Sequence, residues 1–354
     1  MGTISARTIS IGGRKIGPGE PPYIIAEMSA NHNGSLDRAL AIVEMAKASG
    51  ADAIKLQTYK ADTITIDHDG PEFLLNEGLW AGRRLYELYQ SAAMPWEWHA
   101  PLFKRAKEIG IQIFSSAFDA TAVDLLQSLD APAYKVASLE TGDVALIQRI
   151  AAAGKPMIIS TGASEISEIE EAVAAARAGG CKDLILLQCT SGYPTPASES
   201  NLRTIPDMAA KFDCLVGLSD HTYGTAVPVA AVALGACAIE KHVTLRRADG
   251  GVDSDFSLEP EELKRLVDDC RTAFEALGRV HYQVSPSERA IRPLRRSLYV
   301  VKDLAAGEAI SEAHIRSIRP GKGLAPKHLK AVLGKKAAKP LKRGQPLDWS
   351  MVES

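Results

Sequence analysis

CLVGLSDHTYGTAVPVAAVALGACAIEKH, residues 214–242, is the stretch of sequence that decides the fold. Two short apolar runs, CLVGLS and CAIEKH, lead to His221 and His242, and a segment of helical composition separates them. Short apolar runs that alternate with helical segments are typical of parallel strands. If both runs are strands of one barrel, the two imidazoles come together at its C-terminal mouth, where active sites of that fold lie. The stretch therefore predicts an α/β barrel with a metal site at its mouth.

The same alternation continues on both sides of this stretch, between Pro21 and Val280. Eight runs qualify as strands: YIIAE, AIKLQ, IQIFSS, AYKVAS, MIIST, LILLQ, CLVGLS and CAIEKH. Helical segments lie between them, and several end on a glycine, which commonly terminates helices. Eight strand–helix repeats favour a closed (β/α)8 TIM barrel over an open sheet. Before the barrel, RTISIGGRKIG (residues 7–17) predicts a β-hairpin that caps its bottom.

The length of 354 residues allows a barrel of about 250 residues and a smaller module. We expect a barrel domain with its hairpin over 1–285, a linker over 286–294 and a small domain over 295–354. From Pro286 onward there are 15 Lys and Arg against 6 Asp and Glu, a net +9, which leaves −11 for the preceding part. A basic tail on an acidic body predicts docking onto an acidic neighbour. Nucleic acid is a poor candidate partner, because the tail has few aromatics and no recognised motif.

Composition narrows the class further. We expect neither a membrane span nor a secretory signal, because no apolar window is long enough, and so we predict a cytoplasmic protein without a membrane partner. The five cysteines are odd in number and lack CxxC spacing, which favours reduced core thiols. Cys189 is a candidate nucleophile, but no basic residue adjoins it in sequence to lower the pKa of its thiol.

Polar residues at the strand ends are the candidate site, because alternate residues of a barrel strand point inward. The predicted site residues at the strand ends and in the loops beyond them are Glu27, Asn33, Lys55, Gln57, Ser116, Lys135, Ser138, Glu140, Ser160, Ser191, Ser219, His221 and His242. Lys55 and Lys135 are either neutralised structural lysines or ligands of a doubly charged anion, because an ammonium in an apolar strand needs an anion. Any single serine is an ordinary turn cap, but serines at nearly every strand end favour an oxyanion site.

The carboxylates and imidazoles each have two interpretations. Glu27 and Glu140 are either surface charges or buried groups that act as acid and base. His221 and His242 are either unrelated hydrogen-bonded histidines or the ligands of a divalent ion. Only two protein ligands would leave coordination positions open for substrate and water.

Several strings resemble the sialic acid synthase family in order and spacing: IIAEMSANHNGS, DAIKLQTYKADT, AYKVASLE, IISTGAS, QCTSGYPT, VGLSDHTYG, ACAIEKH and GGVDSDFSLEP. The tail RRSLYVVKDLAAGEAI resembles the SAF, or antifreeze-like, domain of that family. Within the family, GLWAGRRLYELYQSAAMPWEWH and FSSAFD are most similar to the pseudaminic acid synthase branch.

The resemblance implies condensation of phosphoenolpyruvate with an open-chain amino sugar, a 2,4-diacetamido-2,4,6-trideoxy hexose of the altrose type, to give pseudaminic acid and phosphate. It implies manganese, with magnesium or cobalt as alternatives, on His221 and His242. Glu27 would position water, Glu140 would manage a proton, and Asp253 would face the sugar. The resemblance also implies a domain-swapped homodimer in which Arg319 reaches over the neighbouring barrel. Tyr193 would help line the site.

Two departures from the family pattern are Ala117, where relatives usually have proline, and Ser191, where the neuraminate branch usually has asparagine. The nearest alternatives are N-acetylneuraminate or legionaminate synthase and a spore-coat polysaccharide relative, which share the chemistry and differ in the sugar. A Schiff-base aldolase using Lys135 and a non-catalytic protein that binds glycan or ice through the tail are more distant alternatives.

Overall fold

The computed structural model describes residues 7–353 as two compact units, one ending at Gly278 and the other beginning at Arg279. The outer limits of the predicted domains, residues 1 and 354, lie outside the described residues. Within residues 7–353, no helix is both long enough and apolar enough to cross a membrane.

The first unit is a closed barrel preceded by an antiparallel hairpin, β1 (Ile9–Ile11) and β2 (Arg14–Ile16). The eight parallel strands are β3 (Tyr23–Glu27), β4 (Ala53–Thr58), β5 (Gln112–Ala117), β6 (Tyr134–Val136), β7 (Met157–Ser160), β8 (Leu184–Cys189), β9 (Leu215–Asp220) and β10 (Ala238–His242). Pairing of β10 with β3, with Glu240 opposite Ile25, closes the ring. The predicted TIM barrel and its hairpin are confirmed.

The helices of the first unit are α1 (Leu36–Ala48), α2 (Ala61–Ile64), α3 (Leu85–Ala92), α4 (His99–Ile109), α5 (Ala120–Ser128), α6 (Val144–Ala151), α7 (Ile166–Ala178), α8 (Thr204–Phe212), α9 (Ala226–Ala233) and α10 (Pro260–Leu277). Local chemistry fixes several of their ends. The side chains of Ser35, Asp119 and Asp143 accept hydrogen bonds from the first turns of α1, α5 and α6. Gly110 ends α4 in the left-handed conformation.

The bottom of the barrel is apolar. The hairpin inserts isoleucines there. They join inward-facing residues of the strands, and two residues that directly precede strands, in one buried cluster: Ile9, Ile11, Ile16, Tyr23, Ile25, Ala53, Phe114, Ala133, Ile158, Ile185, Leu187, Leu215, Cys237 and Ala238. The outward faces of the strands pack against the helices in a second, larger cluster. Polar inward residues are therefore left for the C-terminal end.

One strand is shorter than its apolar run indicates. The run AYKVAS predicts a strand through Ser138, but β6 ends at Val136 and residues Ser138–Glu140 form a 3-10 turn. Hydrogen bonds hold this turn in place, because Ser138 Oγ accepts one from Gly162 N (3.1 Å) and Thr141 Oγ1 donates one to Ser160 O (3.0 Å). Ser138 and Glu140 therefore reach the mouth from a turn.

The second unit is small and rich in turns. It contains the antiparallel pair β11 (Ser297–Val300) and β12 (Ile315–Ile318) and the short helix α11 (Leu329–Val332). Its own buried cluster consists of Leu298, Val300, Leu304, Ile310, Ile315, Val332, Ala337, Leu341, Leu347 and Val352. A separate core of this kind is what an independent domain requires.

Candidate active site

Lys55 lies at the centre of the barrel mouth between two carboxylates. Its Nζ is 2.8 Å from Glu27 Oε2 and 3.4 Å from Glu240 Oε1, and it donates a hydrogen bond to Ser116 Oγ (3.1 Å). All three charged side chains are buried. Burial raises the pKa of Glu27 to about 7, because lost hydration outweighs the attraction of Lys55. Burial acts the same way on Glu240, but Lys55 and Lys135 outweigh it and lower the pKa of that carboxyl.

Lys135 is the second buried ammonium of the mouth. Its Nζ donates to the backbone oxygen of Val136 (2.8 Å). Burial lowers the pKa of Lys135 to about 8, and the positive charge of Lys55 acts in the same direction, against the attraction of Glu240. For Lys55, burial is instead outweighed by Glu240 and Glu27, which raise the pKa of its ammonium. The mouth thus holds Lys55, which its carboxylates neutralise, and Lys135, whose charge an added anion would stabilise.

His221 and His242 lie side by side, as the sequence predicts. Their ring centroids are 5.3 Å apart, and both side chains are buried. His221 Nδ1 is 3.0 Å from the Thr190 carbonyl, which accepts its proton and leaves Nε2 as a free lone pair. Burial keeps His242 uncharged by lowering its pKa well below the usual value. Burial also acts to lower the pKa of His221, but its contacts with Cys189 and the Thr190 carbonyl outweigh burial and raise it. An imidazole with a free nitrogen is a suitable metal ligand in its neutral form.

Five buried polar atoms at the mouth have no hydrogen-bond partner within the described residues: Glu27 Oε2, Glu140 Oε2, Ser160 Oγ, Glu240 Oε2 and His242 Nδ1. Of these, Glu27 Oε2 is still neutralised by Lys55 Nζ, 2.8 Å away. Buried polar atoms in folded proteins are nearly always paired, so a group of unpaired ones marks a site that is completed by a ligand. His242 Nδ1 is the orphaned atom that a metal would satisfy. Among residues 7–353, no three His, Cys, Asp or Glu side chains are grouped as metal ligands, so a metal would take its remaining ligands from substrate or water.

Two serines of the mouth, Ser138 and Ser191, converge on Gly162, which lies two residues after the end of β7 at Ser160. A Cβ at Gly162 would lie 2.3 Å from Ser191 Oγ, 2.9 Å from Ser138 Oγ and 3.0 Å from Cys189 Sγ. Any side chain at this position would displace these three groups, so the glycine keeps the two hydroxyls and the thiol in their places at the mouth. Ser219 lies beside Glu240 instead, and its Oγ donates a hydrogen bond to Glu240 Oε1 (3.4 Å).

Asp253 and Asn33 come from two loops that are bonded to each other. Ser29 Oγ donates to Asp253 Oδ2, and Asn33 Nδ2 donates to the backbone oxygen of Gly250 (2.9 Å). Asp253 is buried, which raises the pKa of its carboxyl against the hydrogen bond from Ser29. Asn33 is exposed and holds the loop that carries Asp253.

The other predicted residues have different positions. Tyr193 packs on His221, with ring centroids 4.5 Å apart, and so lies over the histidine pair. Gln57 is half-buried on β4 opposite Ser116, on the same face as Lys55. Arg319 belongs to the second unit, is exposed and directly follows β12.

Two contacts at or near the mouth could not be predicted from the sequence. Cys189 has no basic neighbour in sequence, but its Sγ is 3.9 Å from His221 Nδ1. Burial raises the pKa of its thiol, but the hydrogen bond with His221 outweighs burial and brings the pKa to about 7. The second contact is a buried ion pair between Lys241 and Asp220, which face each other in neighbouring strands. Alternation places this pair on the outer face of the barrel, where only tertiary structure identifies it.

A closed barrel with ammonium groups, carboxylates and paired imidazoles at its mouth places this chain in the class of TIM-barrel enzymes. The chain belongs to the NeuB family, whose model matches residues 42–282, and the model described as SAF domain matches residues 295–353. The predicted resemblance to the sialic acid synthases is confirmed.

Two relatives belong to the pseudaminic acid synthase branch, which the sequence strings also resemble. Pseudaminic acid synthase of Campylobacter jejuni is 45% identical over 92% of this chain and 95% of its own length. Pseudaminic acid synthase of Helicobacter pylori is 40% identical over 94% of this chain and 98% of its own length. Among solved structures, the N-acetylneuraminic acid synthetase of Leptospira borgpetersenii in complex with citrate has a TM-score of 0.72 and 31% identity, covering 81% of this chain and 95% of that one.

Proposed function

We propose that this enzyme condenses phosphoenolpyruvate with an open-chain 2,4-diacetamido-2,4,6-trideoxy hexose of the altrose type, giving pseudaminic acid and phosphate. The observation that carries the proposal is Lys55 between Glu27 and Glu240, with Lys135 and the histidine pair in the same mouth. Such a set can hold a polyanion beside an aldehyde and move a proton. Similarity to the pseudaminic acid synthases supports this choice of sugar.

Phosphoenolpyruvate would bind through its carboxylate and its phosphate. Lys55 and Lys135 supply the positive charge. The serine hydroxyls of the mouth would supply hydrogen bonds: Ser138 and Ser191 beside Gly162, Ser116 beside Lys55, Ser219 beside Glu240, and Ser160. Lys135 gains most from this binding, because an adjacent dianion restores the pKa that burial lowers. The unpaired Ser160 Oγ is satisfied at the same time.

His221 and His242 would hold a divalent cation, for which manganese is our first choice and magnesium or cobalt the alternatives. When bound, that ion supplies Lewis-acid polarisation of the sugar aldehyde. The chain contributes the fixed tautomer of His221, through the Thr190 carbonyl, and the uncharged state of His242. Asp253 and Asn33 would orient the hydroxyls or amides of the sugar, while Gln57 and Tyr193 complete the walls.

In the reaction, C3 of phosphoenolpyruvate forms a bond to the aldehyde carbon, and Glu140 delivers a proton to the aldehyde oxygen. Burial raises the pKa of Glu140, so this carboxyl retains a proton to donate. C2 is left electron-poor and bonds to a water oxygen, while Glu27 accepts the proton that the water loses. The C2–phosphate oxygen bond then breaks, phosphate leaves with the proton of the new C2 hydroxyl, and C2 becomes the ketone of the nine-carbon product.

We propose further that two chains form a domain-swapped homodimer. The basic C-terminal domain of one chain, net +9 from Pro286 onward, would cap the mouth of its acidic partner and bring Arg319 to the bound anion. An arginine in this role supplies a fixed, planar cation for carboxylate or phosphate. To check this arrangement, a chain in which Arg319 is replaced is co-expressed with an unaltered chain. In a dimer of the two, we expect the mouth of the unaltered chain to be the inactive one, because the altered chain caps it.

The direct test is phosphate release from phosphoenolpyruvate with a panel of amino sugars, together with the mass of the product. We expect release with the altrose-type 2,4-diacetamido sugar and the mass of pseudaminic acid. Chelation should abolish the release, and added manganese should restore it. Preferred turnover of N-acetylmannosamine or of the legionaminate precursor would assign the chain to another branch. No release with any sugar would contradict the proposal.

One second candidate has an observation in its favour. The pKa of Lys135, lowered to about 8, makes this amine a possible Schiff-base nucleophile of an aldolase. Borohydride reduction in the presence of a 2-keto acid would then attach the substrate to Lys135. We expect no attachment, because Lys135 serves as a cation in the proposed reaction.

A further inference from the structure

The connection after α2 forms a loop at the barrel mouth, which we call the rim loop (residues 65–84). Its two arms pair through a bridge between Leu74 and Arg84 and through the hydrogen bond from Leu75 N to Arg83 O (3.0 Å). Arg84 also forms ion pairs with Asp67 and Asp69, which fasten the base of the loop. A loop tied at its base in this way can hold its tip in one place.

Trp80 lies at the tip of the rim loop and turns toward the mouth. Its indole Nε1 donates a hydrogen bond to the backbone oxygen of Val252 (3.1 Å), next to Asp253. Its ring centroid is 5.5 Å from that of Tyr193, which in turn packs on His221. The neighbouring Leu79 is 47% exposed, so burial of the tip as a whole does not explain the inward turn of Trp80.

A continuous aromatic wall therefore runs from the rim loop to the histidine pair. Tyr193 also contacts Phe256 (5.3 Å between ring centroids), and Phe256 contacts His242 (5.0 Å). The inner end of the wall is the place proposed for the sugar aldehyde. The outer end, Trp80, would then face the last carbon of the open chain.

We propose that Trp80 positions the far end of the sugar and makes the enzyme select a methyl group over a hydroxymethyl group at C6. The inference rests on the proposed function and names a determinant of its specificity. Aromatic faces pack well against methyl and C–H groups. The only hydrogen-bond donor of the indole is already used by the Val252 carbonyl, so a C6 hydroxyl would lose hydration there without gaining a partner from Trp80.

The test compares two altrose-type 2,4-diacetamido sugars that differ only at C6, one deoxy and one hydroxylated. For the unaltered enzyme we expect kcat/KM to favour the deoxy sugar by about ten- to a hundred-fold, the range that one such group supplies. Trp80→Ala should lose most of this preference and raise the KM for the deoxy sugar about ten-fold. The KM for phosphoenolpyruvate should stay within about two-fold, because its proposed site lies at Lys55 and Lys135.

Two further variants separate positioning from folding. Trp80→Phe keeps an aromatic face and should retain much of the preference, whereas Leu79→Ala, in the same loop tip, should match the unaltered enzyme. The thermal midpoint of each variant shows whether the fold is intact. Unchanged sugar preference and KM in Trp80→Ala would overturn the inference, and so would an equal rise of both KM values with a lowered midpoint. If the unaltered enzyme releases no phosphate with either sugar, the proposed function fails and this inference with it.

Discussion

The two ends of the barrel are built from the same strands, but the bottom is an apolar core and the mouth is a charged site. At the bottom, Ile11 and Phe114 belong to a sealed apolar cluster that the hairpin completes. At the mouth, the same strands present Glu27, Lys55 and Lys135, which are buried with their charges and leave neighbouring polar atoms unpaired. Stability is concentrated at the bottom, where the packed side chains are almost all apolar, and chemistry at the mouth, where several charged and polar groups await a ligand. Substitutions at the two ends should therefore change different measured quantities.

Glu27→Gln should have the largest effect on turnover. The amide cannot accept a proton from water, so we expect kcat to fall by about 10²- to 10⁴-fold, the usual contribution of a positioned base. Equilibrium binding of phosphoenolpyruvate should persist, because Lys55 and Lys135 remain. Glu275→Gln, on the exposed face of α10, is the matched control and should leave kcat unchanged. Retained turnover in Glu27→Gln would remove this carboxylate from the mechanism.

Lys241→Met tests whether a buried charge near the mouth belongs to the site. Lys241 faces outward and pairs with Asp220, so its loss leaves a buried carboxylate without a cation and with hydrogen bonds from Thr222 only. We expect the free energy of unfolding in urea to fall by about 3–5 kcal/mol, while the folded fraction keeps its KM values. Combining it with Asp220→Asn should restore part of the stability. A large loss of kcat with normal stability would place Lys241 in the chemistry.

Ile11→Ala tests the bottom of the barrel. Truncating this fully buried hairpin side chain should lower the free energy of unfolding by about 2–4 kcal/mol through a cavity. Kinetic constants measured on the folded protein should not change, because the site lies at the opposite end. The exposed Val280, replaced by Ala, is the control and should have little effect on unfolding. A raised KM for phosphoenolpyruvate in Ile11→Ala would show that the two ends are coupled.

The pH profile should show the smallest but most diagnostic change. Glu27, with a pKa near 7, is protonated and inactive as a base at lower pH, so kcat/KM for phosphoenolpyruvate should fall as the medium is acidified. Lys135, with a pKa near 8, loses its charge at higher pH, which gives the alkaline limb. Lys135→Arg should remove that limb, because a guanidinium does not titrate in this range. A profile without either limb between pH 6 and 9 would contradict both assignments.

The fold was largely predictable from the sequence, because strands buried on both faces leave apolar runs such as LILLQ that periodicity detects. Alternation along a strand also identified Lys55 and Gln57 as residues of one face. What the sequence could not supply were contacts between distant segments. The ion pair of Lys241 with Asp220 and the position of Trp80 over Tyr193 depend on strand register and loop path, which no local pattern encodes.

Gly162 has a consequence for attempts to give this enzyme a new substrate. A methyl group at Gly162 would lie 2.3 Å from Ser191 Oγ and displace that hydroxyl. Random libraries that vary this position should therefore yield mostly inactive variants. The rim loop, whose tip residue Leu79 is exposed, should tolerate change without disturbing the place proposed for phosphoenolpyruvate. Laboratory evolution toward other sugars should therefore succeed from the outside inward, with the phosphoenolpyruvate half of the mouth kept constant.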